Sequence, residues 1–253
     1  MSVHISKIIN KKSVICTSVK IGTIGIMLAR NKSSRLPNKN MRDFIYGMSL
    51  FEHVVRKAIK LKLDELLIIS NDDDVFDICV KYGIKYIREP ERLVALDDSW
   101  QVIEWAIKFA GIPEDNILIC LPVTAPLRDN RDVKEALKLY ESNIMKCDSV
   151  VSMCKCTEPP EWAFEIEDGY IKQHDFPMTS QELKDYYYLN GAIYISTVAT
   201  LLQHHGFFGP KVIPYIMPHE RSVDIDELFD FELAQFYAKR NKHVSPFVVR
   251  DRK

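Results

Sequence analysis

Five short apolar runs recur through the first 156 residues: IGTIGIMLA (21–29), ELLIIS (65–70), IKYIRE (84–89), NILICLP (116–122) and DSVVSMCKC (148–156). Helix-period stretches separate them. Such alternation restricts the chain to an α/β architecture, with a doubly wound and largely parallel sheet and a ligand at the carboxyl ends of its strands. The spacing predicts a helix over 49–61, a second opening at the Asn71–Asp74 cluster and closed by Gly83, a third capped by Ser99 and running to Ala110, and a fourth over about 130–143. From 157 to about 188 the rhythm breaks into an insertion flap, with Pro159, Pro160 and a hairpin turn at Asp168-Gly169. The chain returns through NGAIYIS (190–196), a short helix, VIPYIM (212–217), a turn around His219–Arg221 and a last helix over about 227–240.

A chain of 253 residues with 47% hydrophobic content can bury one sizeable core, so a single domain over 21–253 is expected, preceded by a loosely held lead-in over 1–20. The formal net charge of −1 argues against a general nucleic-acid binder, which needs clustered Lys and Arg in excess. Any phosphate site must be local. The first twenty residues interrupt their apolar positions with Lys and Asn before a signal-peptide core can form, and no window approaches a membrane span of about 20 apolar residues. The six cysteines include no CxxC pair and read as reduced thiols of a cytoplasmic protein.

The first strand runs into ARNKSSRLPNKN (29–40), which places Arg30, Arg35 and Lys39 in the loop at the strand's carboxyl end. Guanidinium forks and a lysine point charge can neutralise a phosphate chain there, with Ser33, Ser34 and loop N–H groups adding uncharged donors. GxxxxGK[ST] is absent, so this is no P-loop. By spacing alone, a solvated basic loop fits equally well. Near the other end, Asp224 and Asp226 in SVDID are two residues apart, so an extended segment would turn both carboxylates to one side, where they could share a hard cation such as Mg²⁺. Asp226 could instead cap the last helix, as Asp72 could cap the second.

The order of these residues resembles the sugar-nucleotide cytidylyltransferases, the family that includes CMP-sialic acid synthetases and Kdo cytidylyltransferases. ARNKSSRLPNKN follows the ARxxSxRLPxKN signature, SND (70–72) stands where the family has S-T-D, LPVTAPLR (121–128) where it has LQPTSPLR, and NGAIYI (190–195) matches outright. The stretch FFGPKVIPYIMPHERSVDID (207–226) is similar to the sialate branch. The resemblance implies a nucleotide-binding α/β fold with a mixed sheet of about seven strands, a homodimer whose flap reaches the partner, and transfer of CMP from CTP to an acidic sugar with release of pyrophosphate. It also implies that Arg30 and Lys39 hold the CTP phosphates, with Arg35 beside them at the departing pyrophosphate. Ser33, Asn40 and Ser99 lie with the nucleotide contacts, Arg88 reads the cytosine, and Asp224 with Asp226 holds Mg²⁺. Without the resemblance, Arg88 reads as a surface arginine pairing with Glu89 or Glu91. No residue stands out as a general base.

The sugar-side positions depart from that pattern. The family glutamine is Pro122, which offers no side-chain hydrogen bond; the flap lysine falls near Glu161 or Trp162; the arginine before NGA falls near Ser180. The first loop's Ser33-Ser34 is closer to the Kdo branch. The acceptor is therefore expected to be something other than ordinary N-acetylneuraminate: another nonulosonic acid, a different keto-sugar acid or a phosphonate, among which the sequence does not choose. The alternative is a catalytically silent paralogue that binds a nucleotide or sugar as a regulatory or assembly subunit.

Overall fold

The computed structural model describes residues 21–30, 33–96, 98–172 and 184–240. The lead-in over 1–20 and Ser180 lie outside the described residues. The elements run β1 (Thr23–Leu28), β2 (Asp43–Ile45), β3 (Met48–Ser49), α1 (Leu50–Ile59), β4 (Glu65–Ser70), α2 (Asp73–Tyr82), β5 (Lys85–Arg88), α3 (Glu91–Val94), α4 (Ser99–Ala110) and β6 (Ile117–Cys120). They continue with α5 (Asn130–Asn143), β7 (Ser149–Lys155), β8 (Ile166–Glu167), β9 (Tyr170–Ile171), β10 (Tyr187–Thr197), α6 (Val198–His204), β11 (Val212–Met217) and α7 (Leu228–Arg240).

Seven strands form the central sheet in the order β11-β7-β10-β6-β1-β4-β5. All neighbours are parallel except β10, which runs antiparallel to both β6 and β7, so the sheet is mixed as expected. Ile26, Leu67, Ile69 and Leu118 turn to one face and Met27, Ile68 and Ile119 to the other, and each face is sealed by its own buried cluster. Burial on both faces is why these strands read as continuous apolar runs rather than alternating ones. The chain order reverses at β1, which has β4 on one side and β6 on the other, and a crevice opens at such a switch point, beyond the carboxyl ends of the two strands.

The helix caps show where residue type and position disagree. Ser49 caps α1 and Asp72 caps α2, but α4 is capped by Asp98, whose carboxylate accepts the amides of Trp100 (2.8 Å) and Gln101 (3.2 Å). Ser99 is thus the first residue of the helix rather than its cap. Two neighbouring residues of good capping chemistry competed, and the carboxylate took the place. The β2–β3 ribbon is joined by Tyr46 and Gly47 in the left-handed region (φ 54° and 72°). The flap's β8–β9 hairpin turns at Asp168-Gly169 as the sequence indicates, with φ 51° and 84°. β10 begins at Tyr187 and continues to Thr197, longer than the expected strand over 190–196.

Candidate active site

The loop after β1 is drawn back over the strand end by its own residues. Leu36 is buried, Asn38 takes a left-handed conformation (φ 57°), and the buried Asn40 donates from Nδ2 to the Arg30 carbonyl at 2.8 Å. Arg30 itself lies along Glu89. Its Nε donates to Oε1 and Oε2 at 2.9 and 3.1 Å, its Nη2 stands 2.8 Å from Oε1, and Nη2 also reaches the Asp98 carbonyl at 3.4 Å. The Glu89 side chain is wholly buried, so this pair fixes the guanidinium plane in a medium where charge needs a partner.

The loop after β6 forms the facing wall. Arg128 is buried and staples this loop by donating to the carbonyls of Pro122, Ala125 (3.0 Å) and Leu121 (3.3 Å). Burial lowers its pKa to about 10. Thr124 then presents its carbonyl to the amide of Ile225 at 2.8 Å, while the carbonyl of the same Ile225 accepts Lys39 Nζ at 2.5 Å. One residue of SVDID thereby joins the loops after β1 and β6.

Asp224 and Asp226 flank the buried Ile225. Asp226 Oδ1 lies 3.0 Å from Arg35 Nη2 and 3.9 Å from Lys39 Nζ. The two amides just before α7 are taken by Asp230, whose Oδ2 accepts the N–H groups of Asp226 (3.0 Å) and Glu227 (2.9 Å). Asp224 sits over Gly191, where a built Cβ would come within 2.5 Å of its Oδ2. Burial pushes the Asp224 carboxyl above the ordinary value; a hydrogen bond from the Thr124 side chain opposes the rise, and the Asp226 charge adds to it. Burial lowers the Lys39 ammonium while Asp226 and Asp224 hold it up.

NGA is explained by the same corner. β10 shifts register against β7 between Leu189 and Tyr194, and the bulge turns Asn190 inward. Asn190 Oδ1 accepts from Ser152 Oγ at 2.7 Å, and its Nδ2 donates to Ser222 Oγ at 2.9 Å, two residues before Asp224. Upstream, Arg221 clamps the fully buried Asp132 carboxylate through Nε and Nη2, both at 2.8 Å. His219, which shows no catalytic contact, lies with its Nδ1 3.3 Å from Cys154 Sγ.

These walls enclose a cleft of about 530 Å³ at the carboxyl ends of β1 and β6. Arg30, Ser33, Lys39, Asn40, Ser99 and Thr124 line its polar side; Trp100, Ile103, Pro122, Tyr194, Phe207 and Phe208 line the apolar side. Five of the six residues expected at a nucleotide are thus gathered. Arg88 is not. It ends an edge strand, is 62% exposed, and pairs with Asp73 at 2.6 Å rather than with Glu89 or Glu91. The residue beside it, Glu89, turns inward to Arg30. Alternation along β5 sends neighbouring side chains to opposite faces, and the polarity of the RE dipeptide gives no sign of which one faces inward. Glu161 lies in the flap and does not line the cleft. The contributions of Glu89, Thr124, Asn190 and Gly191 were missed from sequence, although the NGA tripeptide was a visible signal for two of them.

A polar end with fixed cations, a mixed apolar wall and an adjacent pair of carboxylates can hold a phosphate chain, an organic acceptor and a hard cation together. Comparison with known proteins points the same way. Residues 24–250 match the cytidylyltransferase family profile. An N-acylneuraminate cytidylyltransferase of Streptococcus agalactiae is 33% identical over 217 residues, covering 82% of this chain and 51% of that protein. A pseudaminic acid cytidylyltransferase of Campylobacter jejuni is 28% identical, with 88% and 98% covered, and a CMP-N,N'-diacetyllegionaminic acid synthase of Legionella pneumophila is 27% identical, with 87% and 97% covered. This chain spans about half the length of the streptococcal relative. In fold it is similar to a CMP:2-keto-3-deoxy-manno-octonic acid synthetase solved with CTP, with a TM-score of 0.64, 17% identity, and 87% and 99% of the two chains covered.

Proposed function

Because the chain belongs to the cytidylyltransferase family, we propose that it transfers CMP from CTP to a nonulosonic or related keto-sugar acid and releases pyrophosphate. The observation that carries this reading is the meeting of the cation loop, Thr124 and the SVDID carboxylates through the one residue Ile225. Arg30 and Lys39 would hold the phosphates, Ser33, Asn40 and Ser99 the remaining nucleotide contacts, and Arg35 the departing pyrophosphate. The acceptor hydroxyl oxygen forms the bond to the α-phosphorus, the bond from that phosphorus to the bridging oxygen breaks, and the hydroxyl proton passes to solvent. Preorganised charge is what this chemistry asks of a protein, and Glu89 and the Ile225 carbonyl hold Arg30 and Lys39 in place before substrate arrives.

Asp224 and Asp226 fit Mg²⁺, since two carboxylates either side of the buried Ile225, close enough for each charge to be felt by the other, offer the oxygen donors a hard cation takes. When bound, the ion would supply charge neutralisation and acidify the attacking hydroxyl. The apolar wall and Pro122 favour an acceptor that differs from N-acetylneuraminate in its polar groups; the names of the relatives make pseudaminic and legionaminic acids the first to test. Ile166, Tyr170 and Ile171 of the flap are 75%, 78% and 67% exposed, which supports a homodimer closed over the flap. We place the enzyme in the cytoplasm, where CTP is made; no helix among the described residues is long and apolar enough to cross a membrane.

Pyrophosphate release with CTP, Mg²⁺ and a panel of keto-sugar acids tests the activity, and sedimentation tests the dimer. CTP binding without turnover on any acceptor would favour the silent-paralogue alternative.

A further inference from the structure

Arg35 and Lys39 arrive at the same carboxylate oxygen in different ways. Lys39 is 12% exposed and anchored by the Ile225 carbonyl, so its place does not depend on Asp226. Arg35 is 66% exposed and meets Asp226 Oδ1 at 3.0 Å, on an arm long enough to leave. The oxygen that Arg35 holds belongs to one of the two carboxylates proposed to bind the divalent ion.

We infer that Arg35 acts as a resident counter-ion of the metal site, exchanging Asp226 for the triphosphate when metal and nucleotide enter. The inference rests on the reading of Asp224 and Asp226 as the cation pair. A divalent ion at Asp226 must compete with the guanidinium for Oδ1, and a guanidinium displaced from a carboxylate is matched in shape and charge to phosphate oxygens. Metal and triphosphate therefore help each other through this chain's own arginine, beyond their attraction for one another. Arg35 lowers metal affinity when the nucleotide is absent and ceases to do so when its guanidinium is engaged by phosphate. An exposed pair at this distance is a weak competitor, so the effect on affinity is roughly two- to fivefold.

The test is calorimetric titration of Mn²⁺ into the full chain without nucleotide, for wild type, Arg35→Gln, Asp226→Asn and the double variant. Arg35 is a surface residue, so its replacement leaves the fold intact. Arg35→Gln should bind Mn²⁺ about two- to fivefold more tightly than wild type, and that gain should vanish in the Asp226→Asn background. With a non-hydrolysable CTP analogue saturating the site, wild type and Arg35→Gln should bind alike. Unchanged or weaker binding by nucleotide-free Arg35→Gln would overturn the inference while leaving the metal pair standing. A gain that persists without Asp226 would overturn it too, as a general charge effect. Absence of Mn²⁺ binding in both wild type and Arg35→Gln would remove the inference together with the metal pair.

Discussion

Gly191→Ala places one methyl group at a corner where the structure leaves none. The new Cβ would stand 2.5 Å from Asp224 Oδ2 and 3.0 Å from its Cγ, against an ordinary contact of at least 3.4 Å, so the carboxylate must retreat by about 0.9 Å or swing away. The left-handed backbone at this residue (φ 65°) adds roughly 1–2 kcal/mol for a side chain with a Cβ. Neighbouring anchors are untouched, because the Asn190–Ser152 and Asn190–Ser222 bonds do not involve residue 191. The variant should therefore fold with a lowered melting point while losing far more activity than stability. Displacement on the order of 1 Å at a reacting centre costs about a hundredfold in rate. Steady-state pyrophosphate release against Mg²⁺ concentration, run beside thermal and chemical melts, separates the two losses. If Gly191→Ala turns over within a few-fold of wild type at limiting Mg²⁺, Asp224 is not held in working position by that glycine, and the account of the NGA corner is wrong.

Asp226→Asn, and separately Asp224→Asn, should lower turnover by about a hundredfold or more in the same assay. Asp224→Asn has a further signature in stability. The Asp224 carboxyl titrates above its ordinary 3.8, so stability falls as pH rises through the raised value, and at neutral pH without metal the Asn variant should melt no lower than wild type. Arg88→Ala should leave the KM for CTP and the preference over UTP within about twofold, since Arg88 faces away from the cleft; a tenfold change in either would return it to the nucleotide site. Burial lowers the Lys57 ammonium to about 7 from 10.5, so the unfolded chain binds the extra proton between those values and stability rises across that window. Lys57→Met should flatten the rise by on the order of 1–2 kcal/mol for a half-buried group, read by urea unfolding at pH 6.5 and 9.

The parts of this molecule legible in its sequence are those where one residue type serves one physical demand. Strands buried on both faces are apolar nearly throughout, and four of the five runs through residue 156 announced themselves that way, while the edge strand β5 showed itself by alternation. The reversal of β10 could not be read, because NGAIYIS carries no mark of direction; its bulge depends on Asn190 finding Ser152 on the paired β7 and Ser222 in the segment after β11, each more than thirty positions away in sequence. At Asp98-Ser99 the capping chemistry was visible, but the cap is the residue before the one expected. At Arg88-Glu89 the arginine does not line the cleft while its neighbour turns to Arg30, and which of two adjacent residues faces inward is a one-residue property that tertiary packing sets. The acid pair stands out in the sequence because two carboxylates spaced by one apolar residue need no partner to be noticed. Its dependence on Thr124 was hidden because the contact runs through main-chain atoms, which every residue has.

Lys39 and Ile225 are 186 positions apart, and the bond between them is made at the far end of the chain. All seven strands are complete by Met217, so the sheet can be assembled while the carboxylates at 224 and 226 are still to come. During synthesis, affinity for a divalent ion at this corner should thus appear later than the fold that supports it, and a bound metal–nucleotide pair would resist the peeling away of the segment from Pro218 through α7 as well as the opening of the loop after β1.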